Sequence, residues 1–539
     1  MGPAGAGRAL RSAGAAALLC AGALAAQFSS PNITDPDALY HLGHAAVYRE
    51  QGLFNSALPW VQFSVIGTIG ADLWYGFHLL LIPFTFFADG IFAAKLAGAV
   101  VTALGLGLVA WSLERAGMRF ALPAALLLAL SSGDVLYRLN IARPHNLTLG
   151  LTLAVFAYAL RGRPRSVFAL AALAASLHLA LGFLPVMAVT AVTAVRLVRR
   201  HPPGWDNLVW VVAGVLLGAA LRPHPAGALT LAWNQIVDLL RVKAAGVPLL
   251  LGRELLPPNL RQFVRQVLPT AALLALAVVC FFRGRRQQGS RDERTERLTV
   301  AFTAAAALAL FFFFVATFVA RRGLDFFALF TIAALAAAAT AYRERPGAAA
   351  AGPQGDGGRP PGSNGVSRRQ RAAVAAAVLA LVFALGSLPV FRRYMREAYP
   401  PDTMREVSLW LARTSRPGEI VYHARWDQFS TLFFWNRRNY YISGMDPIFL
   451  YLFDPALSWK SFWIAADLGV TRTCGKPRCQ PQDSEETATV LARDFRASYL
   501  LLQRDLNPKF CAQLESVPVF PKLYDDGRYA VYRVLPARP

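Results

Sequence analysis

The run Leu298-Thr-Val-Ala-Phe-Thr-Ala-Ala-Ala-Ala-Leu-Ala-Leu-Phe-Phe-Phe-Phe-Val-Ala-Thr-Phe-Val-Ala320 contains no Asp, Glu, Lys or Arg, and Arg297 and the pair Arg321-Arg322 bound it. A run of that length can satisfy its backbone polar groups inside a bilayer only as a helix. Ala372 to Phe391 has the same character. The whole chain agrees: 55% of residues are hydrophobic and 16% charged, and mean hydropathy is +0.38. The fold class is therefore a polytopic α-helical membrane protein. A net charge of +23 could suggest nucleic acid. Here, however, the arginines fall in short clusters between apolar runs rather than along one face, which is a topology signal and excludes a nucleic-acid partner.

Working outward from this span, the basic clusters are Arg8/Arg11, Glu114 to Arg119, Arg161/Arg163/Arg165, Arg196/Arg199/Arg200, Arg283 to Arg297 and Arg343 to Arg371. All six become cytoplasmic if the amino terminus is inside and the chain crosses eleven times. The crossings fall near 12–28, 91–112, 120–132, 147–160, 166–181, 183–195, 207–221, 267–282, 298–320, 324–342 and 372–391. The first run follows two arginines and ends in Ala-Ala-Gln, so it also fits a cleaved signal peptide; a bundle following at once favours an anchor. Ser166 to Val195 reads as one long helix or as two broken near Gly182 and Pro185, and the positive-inside pattern favours two. Gly76 to Ala88 is too short to cross comfortably and is predicted to lie along the outer surface.

This topology turns 29–75, 133–146, 222–266 and everything after Arg392 outward. It divides the chain into a transmembrane region, 1–391, and an extracytoplasmic α/β domain, 392–539. The Gly/Pro/Ala-rich stretch 345–371 is read as a disordered cytoplasmic linker. In the tail, β-rich runs at Glu419 to His423, Tyr440 to Ile442, Ser498 to Gln503 and Tyr529 to Val534 alternate with helical patterns at Asp402 to Arg413 and Glu485 to Phe495. Asp525-Asp526-Gly527 is a hairpin-type turn. Cys474 and Cys479, placed outside the cytoplasm, are expected to form a disulfide. Cys20 and Cys280 lie in spans, and Cys511 is left over.

The first outward segment holds Thr34-Asp35-Pro36-Asp37-Ala38-Leu39-Tyr40-His41. Carboxylates at a membrane surface without an adjacent cation read as a functional site, with His41 beside them. The structural alternative is an Asp-Pro turn with Asp37 as a helix N-cap. Trp426-Asp427 reads as a strand-to-helix turn in which Asp427 caps a helix through Leu432 to Trp435. Gly444-Met445-Asp446-Pro447 reads as a turn with Asp446 pointing outward.

The order of outer acidic loop, surface helix, bundle and outward tail resembles the C-type glycosyltransferase superfamily, and within it the oligosaccharyltransferase catalytic subunits. Asp37-Ala38-Leu39-Tyr40-His41-Leu42 is similar to the family's Asp-Pro-Trp-Tyr-His-Leu motif, and Gly52-Leu53-Phe54 to its Gly-Phe turn. The resemblance implies that Asp37, rather than Asp35, is the catalytic and metal-binding aspartate. It implies that Glu254, in Gly252-Arg253-Glu254-Leu255-Leu256-Pro257, positions the acceptor or completes a metal shell. By the same resemblance Arg321 or Arg322 holds the donor phosphate, and Ala424-Arg425-Trp426-Asp427-Gln428-Phe429 is a divergent acceptor motif with Trp426 and Asp427 as its binding residues. Where the family carries a second acidic pair, this chain reads Ile141-Ala142-Arg143-Pro144-His145-Asn146, so a divalent metal, Mg or Mn, would have Asp37 and His145 as ligands.

The function implied is transfer of a sugar or oligosaccharide from a polyprenyl phosphate or diphosphate donor to a protein, lipid or glycan acceptor at the outer face of a cell membrane. The alternatives are a polyprenyl-glycan transporter or flippase, and a non-catalytic assembly subunit. The sequence shows no internal repeat and few acids in its middle spans, against the transporter.

Overall fold

The computed structural model describes residues 3–285, 292–343 and 368–535. Residues 345–367 of the expected linker and 286–291 of the fifth basic cluster lie outside the described residues. The chain begins with α1 (Pro3–Gln27), α2 (Asp37–Gln51), α3 (Val65–Ile69), α4 (Tyr75–Leu81) and α5 (Gly90–Arg115). Among the described residues five helices are long and apolar enough to cross a membrane: Gly90–Arg115, Leu179–Val198, Leu260–Arg285, Glu293–Val319 and Gly323–Arg343. Two bent pairs bring the number to as many as seven. The remaining expected spans overlap shorter apolar helices, including Ala13–Gln27, His145–Leu160 and Pro164–Leu177, and the long helix Arg368–Glu397.

Small residues set the packing of this bundle. Gly323–Arg343 is alanine-rich and almost wholly buried, packed between neighbouring helices in the main core cluster. Ala121–Leu130 bends by 105° into Gly133–Leu139, and Ser132 caps the second piece by accepting from the Val135 N–H. The 166–195 segment is two helices, but the break falls at His178 rather than at Gly182 and Pro185. His178 leaves the helical region (φ −149°, ψ 89°), and its Nδ1 accepts from the Leu181 N–H.

The carboxyl-terminal region holds a five-stranded sheet in the order β2-β1-β5-β7-β6. Its strands are β1 (Ile420–His423), β2 (Tyr440–Tyr441), β5 (Tyr499–Gln503), β6 (Lys522–Asp525) and β7 (Tyr529–Arg533); β3 (Arg472–Thr473) and β4 (Glu485–Glu486) form a separate pair. β2, β1 and β5 run parallel; β7 pairs antiparallel with both β5 and β6, and the expected Asp525-Asp526-Gly527 turn joins β6 to β7. The alternating apolar residues of β1 and β5 divide between two core clusters, one on each face of the sheet.

The β2 edge is covered from the amino-terminal half of the chain. Val61 forms a parallel bridge to Tyr441. The Gln62 and Phe63 N–H groups donate to the Tyr441 and Ile442 carbonyls at 2.9 and 2.8 Å. The segment after α2 thus extends the sheet, which fixes the register between the first loop and the tail and leaves no bare edge there.

Candidate functional site: a carboxylate and arginine cavity

Pro36 starts α2 with its fixed φ of −64°, and Asp37 is the first helical residue, where the helix dipole favours a carboxylate. Asp37 does not cap the helix through its side chain, contrary to the turn-and-cap reading. The middle of α2 packs against the helix Phe429–Trp435, because Gly43 has no side chain where Phe433 passes; a Cβ there would sit 3.1 Å from the Phe433 ring. That close approach brings Ser430 to Asp37, whose Oδ1 accepts from the Ser430 hydroxyl at 2.8 Å.

Asp35 and Asp37 share one cation that the sequence reading did not assign. Arg143 donates through Nε and Nη2 to Asp35, and its Nη2 also lies 2.7 Å from Asp37 Oδ2. Burial opposes the charge of Arg143, yet the two carboxylates hold it well above the ordinary arginine range. Asp37 is pushed up to about 6 by burial, against the pull of Arg143.

The opposite wall comes from the Gly252–Leu256 turn. The Arg322 N–H donates to the Glu254 carbonyl at 2.9 Å and the Arg321 N–H to the Leu256 carbonyl at 3.1 Å. The Arg321 guanidinium donates back to the Arg253 carbonyl, so Arg321 braces this turn. Arg322 faces the cavity, and its guanidinium has no hydrogen-bond or ion-pair partner among the described residues. Burial raises the cost of a charge on Glu254, but Arg143, Arg138 and Arg322 together hold its carboxyl below the usual range. Arg138 is itself clamped by Asp325, with Nε 2.8 Å from Oδ1 and Nη2 2.7 Å from Oδ2. Removing one partner of such a buried pair strands the other, so Arg138→Leu should cost about 3–5 kcal/mol in thermal unfolding. The double change with Asp325→Leu should recover most of that loss.

Asp37, Arg143, Glu254 and Arg322 line one cavity with His41, Trp74, His145, His178, Gln235, Trp426 and Asp446. Of the residues singled out in the sequence, Asp37, His41, His145, Glu254, Arg322 and Trp426 meet there; Asp35 reaches it through Arg143. Asp427 does not cap its helix, which begins after a tight turn at Trp426–Gln428. It lies 3.6 Å from Arg425 and is a third exposed. Trp426 donates its indole N–H to the Leu250 carbonyl at 2.6 Å and forms the wall to a second, more apolar cavity lined by His423, Ser443, Tyr451 and Trp459. Asp446 is buried rather than outward, because it caps the helix Pro447–Phe453 by accepting from the Ile448 N–H. Burial pushes it up to about 7. Cys474 and Cys479 are joined with a Cα separation of 5.9 Å, remote from the cavity in the β3–β4 region.

The residues present do not fit a divalent metal at Asp37 and His145. His145 has both ring nitrogens unpartnered, but Asp35 and Asp37 are already held by the Arg143 guanidinium, which stands where an ion bridging the carboxylates would sit. Among the described residues one other group, His44, Asp72 and His78, brings three ligand-type atoms within 4.8 Å of one another. There the His78 Nδ1 and Asp72 Oδ2 are 2.6 Å apart, a hydrogen bond with no room for an ion between them, and the His44 and His78 rings are stacked.

Arg143, Asp72, His78 and Asp446 were missed as site residues. Arg143 carried a usable signal: a cation where acids are expected, opposite an Asp-x-Asp. The role of Asp446 depends on a helix starting at Pro447, which Asp-Pro also signals.

No family model and no curated protein sequence matches the chain. Solved structures do. ArnT from Cupriavidus metallidurans bound to undecaprenyl phosphate is 14% identical, with a TM-score of 0.50 over 96% of this chain and 98% of that one. The Archaeoglobus fulgidus oligosaccharyltransferase is 13% identical, with a TM-score of 0.52 over 97% and 74%. Arabinofuranosyltransferase AftD from Mycobacteria is 17% identical, with a TM-score of 0.50 over 97% of this chain; the chain spans 40% of that protein's length. At these identities the likeness speaks to architecture alone, and it is consistent across the three structures. The chain shares the fold of these three proteins.

Proposed function

We propose that the protein is a multi-pass membrane glycosyltransferase that moves a sugar or oligosaccharide from a polyprenyl phosphate or diphosphate donor to a protein, lipid or glycan acceptor. In this reading residues 1–391 form the membrane region, 392–539 form an extracytoplasmic domain, the amino terminus is cytoplasmic and the cavity opens at the outer face. The observation that carries the reading is the pairing, across one cavity, of an ionisable carboxylate at Asp37 with an arginine, Arg322, whose guanidinium has no hydrogen-bond or ion-pair partner among the described residues. Glycosyl transfer from a phosphate-linked donor needs those two elements: a group that orients the acceptor's O–H or N–H, and a cation for the charge developing on the departing phosphate. The capture of undecaprenyl phosphate by a protein of the same fold supports the donor class.

The parts divide as follows. The planar guanidinium of Arg322 pairs with phosphate oxygens, and its lack of a protein partner means that no ion pair must break when donor binds. Glu254, on the turn whose backbone Arg322 holds, limits the positive charge of the cavity. Asp37 receives the acceptor's hydrogen bond. Arg143 spreads one positive charge over both aspartates, supplying the cation that a metal would otherwise provide, and no step is routed through a metal. The aromatic cavity beyond Trp426 suits the body of an acceptor, since tryptophan and tyrosine faces stack on sugars or hold an apolar segment.

Arg322→Ala should raise the KM for a lipid-linked donor about 10- to 100-fold, the range of one to two charged hydrogen bonds. Initial rates at varied donor concentration in reconstituted protein measure this; an unchanged KM would remove Arg322 from the donor site.

A further inference from the structure

Four residues beyond Asp37 on the same helix, His41 lines the cavity, and behind it runs a buried chain of hydrogen bonds that the reading above does not use. The His41 Nδ1 is 2.8 Å from the His78 Nε2, and the His78 Nδ1 is 2.6 Å from the Asp72 Oδ2. Asp72 also accepts from the Tyr48 hydroxyl at 2.9 Å and, through Oδ1, from the Trp74 N–H at 2.8 Å. His41, His78 and Asp72 are each 2% exposed or less. A carboxylate with two other donors is an acceptor here, and against the cost of burial His78 and its other partners hold Asp72 well below the usual carboxylate range.

This order fixes the protons. Asp72 can only accept, so the His78 Nδ1 carries a hydrogen and, in neutral His78, Nε2 is a lone pair. His41 must then donate from Nδ1, which leaves the Nε2 of a neutral His41 as a lone pair. That nitrogen has no hydrogen-bond partner among the described residues, although His41 faces the cavity. The arrangement is an acid–imidazole–imidazole relay ending beside Asp37, whose own Oδ1 and Oδ2 are engaged by Ser430 and Arg143.

We propose that His41 is the catalytic base that takes the acceptor's proton, and that His78 and Asp72 are positioning residues that set its tautomer and receive the resulting charge. The proposal rests on the glycosyltransferase reading. The acceptor's O–H or N–H bond breaks, its hydrogen passing to His41 Nε2 while the heteroatom bonds to the anomeric carbon. The carbon–oxygen bond to the phosphate breaks and its electron pair stays on the phosphate oxygen at Arg322. The hydrogen on His41 Nδ1 moves to His78 Nε2, so the positive charge comes to rest on His78, hydrogen-bonded to Asp72, rather than on His41, where Arg143 stands on the cavity side. Asp37 then serves to orient the nucleophile rather than to carry its proton.

The chain has only eight histidines, so 15N-histidine spectra of the full-length protein in nanodiscs can resolve this relay, with His41 assigned from the signals lost in His41→Gln. The expected result is a protonated Nδ1 and an unprotonated Nε2 on His41. In Asp72→Asn that tautomer should be lost, and kcat should fall about 10²-fold with the donor KM unchanged. A His41 protonated at Nε2 in the wild-type protein would overturn the proposal whatever the variants do. Transfer that survives in His41→Gln but is lost in Asp37→Asn would overturn the proposal alone. No transfer by the folded wild-type protein from any lipid-linked donor would overturn the glycosyltransferase reading, and the proposal with it.

Discussion

Asp37→Asn is expected to lower sugar transfer by about 10²- to 10⁴-fold while the protein still folds, as assayed in membranes containing equal amounts of wild-type and variant protein. The substitution keeps the shape of the side chain and leaves an oxygen for the Ser430 hydroxyl. It removes the charge that draws the acceptor's hydrogen and half of the counter-charge on Arg143; Asp35 still holds that arginine through two donors. The same carboxylate should set an acid limb on the rate. Burial raises Asp37 to about 6, so the ionised form that accepts a hydrogen bond is lost as pH falls through that value and is complete above it. Wild-type activity should therefore rise with pH to a plateau somewhat above 6. In Asp37→Asn this step should be absent from the residual rate. A variant with wild-type rate, or with the same acid limb, would remove Asp37 from the reaction.

The second large effect is expected at Arg143. Arg143→Met leaves Asp35 and Asp37 as neighbouring, mostly buried carboxylates with no cation between them, a loss of about 3–5 kcal/mol in stability by comparison with other broken buried pairs. Transfer should disappear as well, because one of the two acids would take up a proton to relieve the repulsion. Arg143→Lys should fall between: it keeps a charge but not the planar fork that reaches both aspartates at once. Because the guanidinium occupies the place between the two acids, EDTA should leave wild-type transfer unchanged. Transfer that stops on chelation and returns with Mg or Mn would show that an ion displaces Arg143.

The parts of the molecule that were legible from sequence are those written in local periodicity. The charge-free run from Leu298 to Ala320 became most of the helical stretch Glu293–Val319, and the β-branched and aromatic runs at 419–423, 498–503 and 529–534 became β1, β5 and β7. β6 escaped because Lys522–Asp525 is polar and mostly exposed, with no apolar alternation to reveal it. The break at His178 escaped because it is made by a histidine side chain capping a tight turn, whereas glycine and proline are the usual marks of a broken helix. In the site, Asp37 could be chosen over Asp35 by its spacing to Tyr40 and His41. What spacing could not give was the partner of Asp37: Arg143 lies 106 positions away, and the two meet only through the packing of the first loop on the bent segment after Gly133. The Asp72–His78–His41 chain was hidden for the same reason, each link joining a different element.

The most direct measurement follows the donor itself. Purified protein reconstituted in liposomes is given a polyprenyl phosphate carrying a radiolabelled sugar, together with candidate protein, lipid and glycan acceptors. The label on the lipid and on each acceptor is counted over time, with Asp37→Asn run in parallel. The expected result is time-dependent loss of label from the lipid, its appearance on one acceptor class, and release of unlabelled polyprenyl phosphate, none of which occurs in the variant. Folded wild-type protein that leaves every lipid-linked donor intact, or that consumes it equally well as Asp37→Asn, would contradict the account.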